Sequence, residues 1–155
     1  MTMLRLFATR LGRRGAAAVE VAVAFPIVVI LLGNLVDYGL MLRRHAQLAA
    51  GVGNAAGYAS EVGASVAIAT LQSIATTSSW LAGATAVATP ATCHCPSGTP
   101  RTLGPALACT ATCSDGATAQ RYLTVTGTYS YAPMFPAVIG NSTRLLTHSA
   151  TVMVQ

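Results

Sequence analysis

The sequence predicts an α+β chain, in which a long N-terminal transmembrane helix carries a small extracytoplasmic domain with a further helix and a short antiparallel sheet. Three observations predict this. A basic N-terminus runs into a long apolar stretch, two segments near the C-terminus alternate with a period of two, and four cysteines cluster ahead of them. The expected organisation is a basic leader over 1–15, a transmembrane helix over 16–38, a helical extension over 39–60 and an extracytoplasmic domain over 61–155 with a cysteine-rich loop at 93–113.

The leader is where the charge lies. The formal net charge is +5, yet only 8% of the 155 residues are charged and 53% are hydrophobic. Soluble domains carry about 25% charged residues, so a chain this poor in charge sits partly in lipid or packs against other subunits. All the basic residues are arginine. Arg5, Arg10, Arg13 and Arg14 precede Gly15, whereas the four acids (Glu20, Asp37, Glu61 and Asp115) all follow it. Beyond Gly15, five arginines meet four acids. The remainder lacks the basic patch of a nucleic-acid binder, and no nucleic-acid partner is expected.

The span comes next. No Lys or Arg occurs from Gly15 through Leu42. At about 1.5 Å per residue, residues 16–36 extend roughly 31 Å, close to the thickness of a bilayer core. A secretory apolar region is shorter, about 7–15 residues. Small residues near Ala46–Ala50 lie beyond Arg43 and Arg44, which argues against ordinary signal-peptidase cleavage there. The four leader arginines favour a cytoplasmic N-terminus; Arg43 and Arg44 oppose it, and the cysteines favour an exported C-terminal domain. Pro26 removes one helix hydrogen bond, which either loosens the helix for packing or is simply tolerated.

The extension follows the span. Leu40, Met41, Leu42, Leu48, Val52 and Tyr58 suit a helix with an apolar side. Ala49, Gly53 and Gly57 recur every four residues, a spacing that lets helices approach closely. The competing reading is a glycine-weakened helix that frays. A second helix is expected from about 62 to 81, with Val66, Ile68, Leu71, Ile74 and Leu81 as its stripe and Trp80 near its end. Residues 82–118 read as loop with short extended pieces. In 123–131, Leu123, Val125, Tyr129 and Tyr131 fall on one face and Thr124, Thr126, Thr128 and Ser130 on the other, the pattern of a half-buried strand. Residues 145–154 alternate likewise, with Leu146, His148, Ala150, Val152 and Val154 on one side. The two should pair antiparallel across the Met134–Asn141 connection.

Cys93, Cys95, Cys109 and Cys113 favour two disulfides between the arms of a hairpin. Nested pairing (Cys93–Cys113 with Cys95–Cys109) and crossed pairing (Cys93–Cys109 with Cys95–Cys113) both remain open. A zinc site from these cysteines, or with His94, fits less well, because structural zinc sites favour Cys-X2–4-Cys on both sides. No metal or other cofactor is expected. His94 is then a solvated loop residue, His45 a juxtamembrane surface residue and His148 a partly buried one. No nucleophile–base constellation suggests itself, and four acids leave little general acid–base chemistry, so no catalytic residues and no enzymatic activity are expected.

The most informative run is Arg13-Arg14-Gly15-Ala16-Ala17-Ala18-Val19-Glu20, followed directly by the apolar span. It resembles the prepilin leaders of Flp-type pilins and their TadE-like relatives. The resemblance continues through Phe25-Pro26, Asp37-Tyr38-Gly39, the small-residue helix with Tyr58, and a C-terminal strand pair linked by Pro133-Met134-Phe135-Pro136. Val21 departs from it, since the family commonly has an aromatic residue after the glutamate.

The resemblance implies cleavage by a prepilin peptidase after Gly15, which makes Ala16 the first mature residue and Glu20 the fifth. It implies a minor pilin or pseudopilin that supports assembly of an Flp-type (Tad, type IVb) adhesive pilus. The implied partners are the peptidase, the major Flp-type pilin and other minor pilins, an inner-membrane assembly platform and the bilayer. The implied location is the bacterial inner membrane, spanned once, or the pilus.

The residues agree with it physically. A carboxylate in a lipid-facing helix costs about 2.5–3.5 kcal/mol at the bilayer centre and is therefore usually paired. An amine on Ala16 and the Glu20 carboxylate stand at i and i+4, on one helix side. Gly15 offers a cleft no side chain to clash with. The competing reading of Glu20 is a carboxylate idle at the headgroups. A second functional class stays open: a membrane-anchored binding or adhesion domain that never joins a filament.

Overall fold

A computed structural model describes residues 13–98, 102–135 and 143–155. The leader through Gly12 and most of the Met134–Asn141 connection lie outside the described residues. Two helices, α1 (Arg13–Val62) and α2 (Ile68–Ser78), precede five strands: β1 (Thr85–Ala88), β2 (Thr92–Ser97), β3 (Thr102–Leu107), β4 (Gln120–Tyr131) and β5 (Arg144–Met153). The chain forms two compact units. One comprises Met1–Leu40 with Pro133–Ser142, the other Met41–Ala132 with Thr143–Gln155. The α+β class and the antiparallel pairing of the last two strands are as expected.

In the second unit, β4 is the spine of the sheet. Ten residue pairs join it to β5, from Tyr122–Met153 to Tyr131–Arg144. Its other edge pairs with β1 (Ala88–Val125) and then with β2 (Thr92–Tyr122). Between these pairs three residues, Thr89 to Ala91, thus stand opposite two, Leu123 and Thr124, and Pro90, which cannot donate to a ladder, lies within this irregularity. β3 pairs outside β2. The region expected as loop with extended pieces therefore supplies three strands of the sheet.

The core is built mainly of small side chains. Val52, Ala55 and Ala59 of α1 meet Leu71 and Ala75 of α2, Ala88 of β1, Leu123 and Val125 of β4, and Val154, and Leu48 of α1 is buried as well. Of the expected α1 stripe, Leu48 and Val52 are buried, but Leu42 and Tyr58 are exposed. Alanine fills their place because α1 lies too close to the sheet for larger groups. Gly127 sets that distance: a Cβ there would stand 2.7 Å from Val52 Cγ2 and 3.0 Å from Leu48 Cδ1. Gly51 does the same against α2, since a Cβ there would strike the Ala75 carbonyl and come within 2.8 Å of Ser79 Cβ. Neither glycine stood out in the sequence, because close approach leaves no periodic signature.

The second helix is shorter than expected. Gly63 (φ +84°) ends α1 in the left-handed conformation that glycine adopts freely, and Ala64 N–H bonds the Gln155 carbonyl. α2 starts only at Ile68, so Val66 packs from the turn. At its other end Ser79 is fully buried, its hydroxyl donating to Thr76 O and accepting the Leu81 N–H. Trp80 therefore follows the helix, exposed and with φ +55°. Two of the three histidine expectations change as well. His45 is half-buried, with its ring edge-on to His148 at 5.7 Å. His94 lies on β2, half-buried, its ring nitrogens 2.8 Å from Thr92 Oγ1 and 2.8 Å from Gly104 O.

Candidate functional site: the apolar helix and its two carboxylates

α1 runs unbroken for 50 residues, through Pro26, Gly53 and Gly57. Among the described residues it contains the one helix long and apolar enough to cross a membrane. Val21, Val23, Phe25, Ile27 through Leu32, Leu35 and Val36 are all exposed. Soluble proteins rarely show a contiguous apolar surface of this extent, so it is one that lipid or other helices cover. The small residues expected for close packing stay free within the chain. Gly53 and Gly57 border open space, and Ala49 is half-buried.

Only two charged side chains stand between Gly15 and Leu42: Glu20 and Asp37. Seventeen residues apart, they are separated by about 25 Å along the helix. They are treated oppositely. Glu20 is exposed, with no ion pair among the described residues. Asp37 is fully buried. Its Oδ1 accepts the Met134 N–H at 2.8 Å and its Oδ2 the Phe135 N–H at 2.9 Å. One turn earlier on the same face, the Phe135 ring lies over Gly33, 3.5 Å from where a Cβ would sit. Pro133 has no N–H and fixes its own φ, which helps turn the chain so that the next two amides point together. Asn34 meets its own need locally, donating to Ile30 O at 3.1 Å.

Asp37 and the Pro133–Pro136 link are both visible in the sequence, but no pattern in it joins them. The signal was the acid itself. A carboxylate in an apolar helix without a nearby Lys or Arg must find donors elsewhere, and backbone amides are invisible in a residue pattern.

The residues expected to form the cleavage site stand at the start of the helix. The backbone at Arg13, Arg14, Gly15 and Ala16 is helical. The side chains of Arg13, Arg14 and Ala16 lie outside the described residues.

The cysteines pair in the crossed pattern, Cys93–Cys109 and Cys95–Cys113, with Cα separations of 5.1 and 5.5 Å. No thiolate is left for zinc. Cys93, Cys113 and Ala119 form a small second core where the chain has few large apolar residues. Each bridge closes a loop worth about 3 kcal/mol by the chain-entropy estimate. The Cys93→Ser, Cys109→Ser double variant should lose roughly that much stability, read by denaturant titration of the detergent-solubilised chain.

Residues 15–56 match the family model described as TadE-like protein. The match begins at Gly15 and covers the apolar stretch, Asp37 and the first half of the α1 packing stripe. No curated protein and no solved structure shows a significant match to the chain.

Proposed function

For a chain that is TadE-like over residues 15–56, we propose a role as a minor pilin or pseudopilin of an Flp-type (Tad) pilus. It acts without catalysis: a prepilin peptidase cleaves after Gly15, and lateral packing of the apolar helix brings the chain to the major pilin and the inner-membrane assembly platform. The C-terminal unit lies outside the cytoplasm, which suits its two disulfides.

The observation that carries this reading is the order of residues at the head of α1. In the uncleaved helix the first turn carries Arg13 and Arg14 and no acid. Cations there oppose the positive end of the helix dipole. Cleavage after Gly15 removes both and leaves Glu20 one turn from a new amine on Ala16. Two arginines at the head of the helix are thus replaced by a single ammonium with a carboxylate one turn away to compensate it. The same head suits lateral assembly, since Glu20 can pair with the Ala16 amine of its own chain or of a neighbour.

The test is the intact mass of the protein from cells with and without the prepilin peptidase, with N-terminal sequencing. A chain beginning at Ala16 only when the peptidase is present is the expected result. Retention of the leader in both strains would reduce the protein to a membrane-anchored domain and remove the pilin route.

A further inference from the structure

The turn at Pro133–Phe135 belongs to the same compact unit as the apolar half of α1. Its height along the helix is informative. A bilayer core takes about 20 helical residues. Counted from Val21, the first residue after Glu20, it reaches Leu40. Gly33, under the Phe135 ring, then lies about 10 Å inside that boundary, and Asp37 about 5 Å inside it.

Two polar problems at that depth solve each other. A carboxylate among acyl chains needs donors, and a turn entering lipid must satisfy its own amides. Here Met134 N–H and Phe135 N–H are those donors, and Asp37 is their acceptor. What the turn shows outward is apolar: Met134 is 66% exposed and Phe135 43%. Leu35 and Val36, on the same stretch of helix, are exposed as well. The turn and the helix thus present one continuous apolar surface, and the medium that covers the helix covers the turn.

We propose that the Pro133–Phe135 turn is inserted among the lipid acyl chains beside α1, a second membrane contact locked to the helix by Asp37. This rests on α1 being the membrane span, and the test separates the two ideas. The full chain, reconstituted in vesicles of phosphatidylcholine and phosphatidylglycerol, carries one spin label at a time. The sites are Met134→Cys, Val28→Cys within the span and Thr147→Cys on the exposed side of β5. The native cysteines are all paired, so each variant has a single free thiol. Met134→Cys keeps the backbone N–H that Asp37 uses. Collision with oxygen, which concentrates in lipid, is compared with collision with a water-soluble nickel chelate.

The expected result is an oxygen-to-nickel ratio at 134 close to that at 28 and several-fold above that at 147. Nickel access at 134 matching that at 147, with 28 still shielded, would overturn the inserted turn and leave the span standing. Nickel access at 28 as well would remove the span and the inserted turn together. A label at 134 shielded from both agents would place it against protein and also overturn the inference.

Discussion

Replacing Glu20 by Ala should abolish piliation while leaving membrane insertion intact. Insertion depends on apolar length, and removing a charge from the edge of the span only favours it. Assembly is where the carboxylate counts. On the proposed pilin route, the Ala16 ammonium of the cleaved chain enters a helical array at the depth of an apolar surface, where an uncompensated ion costs on the order of 2–3 kcal/mol. Every added subunit meets that cost. A defect near 2 kcal/mol per subunit lowers each addition equilibrium by more than about tenfold, which suffices to prevent a filament. Glu20→Gln should fail in the same way, since it keeps the shape and loses the charge. Glu20→Asp should restore part of the function. Electron-microscopic counting of pili, with fractionation and intact mass on the same strains, reads all three. Wild-type piliation in Glu20→Ala would sink the role given to this residue.

How legible such features were depends on whether they leave a period. β4 and β5 could be read because Leu123, Val125, Tyr129 and Tyr131 alternate with threonine and serine, and one face of an antiparallel sheet is buried. Hydroxyls line the opposite face as that alternation implies, with Thr124 and Thr151 bonded at 2.8 Å and Thr85 and Thr128 at 2.7 Å. The apolar half of α1 was legible from length and charge alone. What escaped was set by close approach. Ala55 and Ala59 are buried because Gly127 and Gly51 draw α1 against the sheet and α2, and neither type of residue marks a core by itself. The crossed disulfide pattern escaped too, because four cysteines permit both pairings until β2 and β3 fix which Cα atoms are neighbours. Asp37 stood in plain sight as one of four acids, but its partners are backbone amides 97 and 98 residues away.

Replacing Asp37 by Ala should free the Pro133–Phe135 turn from α1. Among the described residues, two charge-assisted hydrogen bonds from backbone amides end on this carboxylate, each worth about 1.5–3 kcal/mol. Their loss strands two N–H groups where water is scarce, so the closed turn should weaken by about 3–5 kcal/mol. Exposed ion pairs, at 1 kcal/mol or less, give no guide here, because Asp37 has no exposed surface. Amide exchange at Met134 and Phe135 reads the opening directly, and their protection should fall roughly 10²–10³-fold. Asp37→Asn distinguishes bonding from bulk. Its amide keeps one acceptor oxygen but turns an NH2 toward the second N–H, so it should lose much of the protection although its size is unchanged. Gly33→Ala offers an independent check: it leaves the carboxylate alone and brings a methyl group to ordinary contact, 3.5 Å from the Phe135 ring. Exchange at both amides should stay near wild type in that variant. If Asp37→Ala left protection unchanged, the carboxylate would not be what holds the turn.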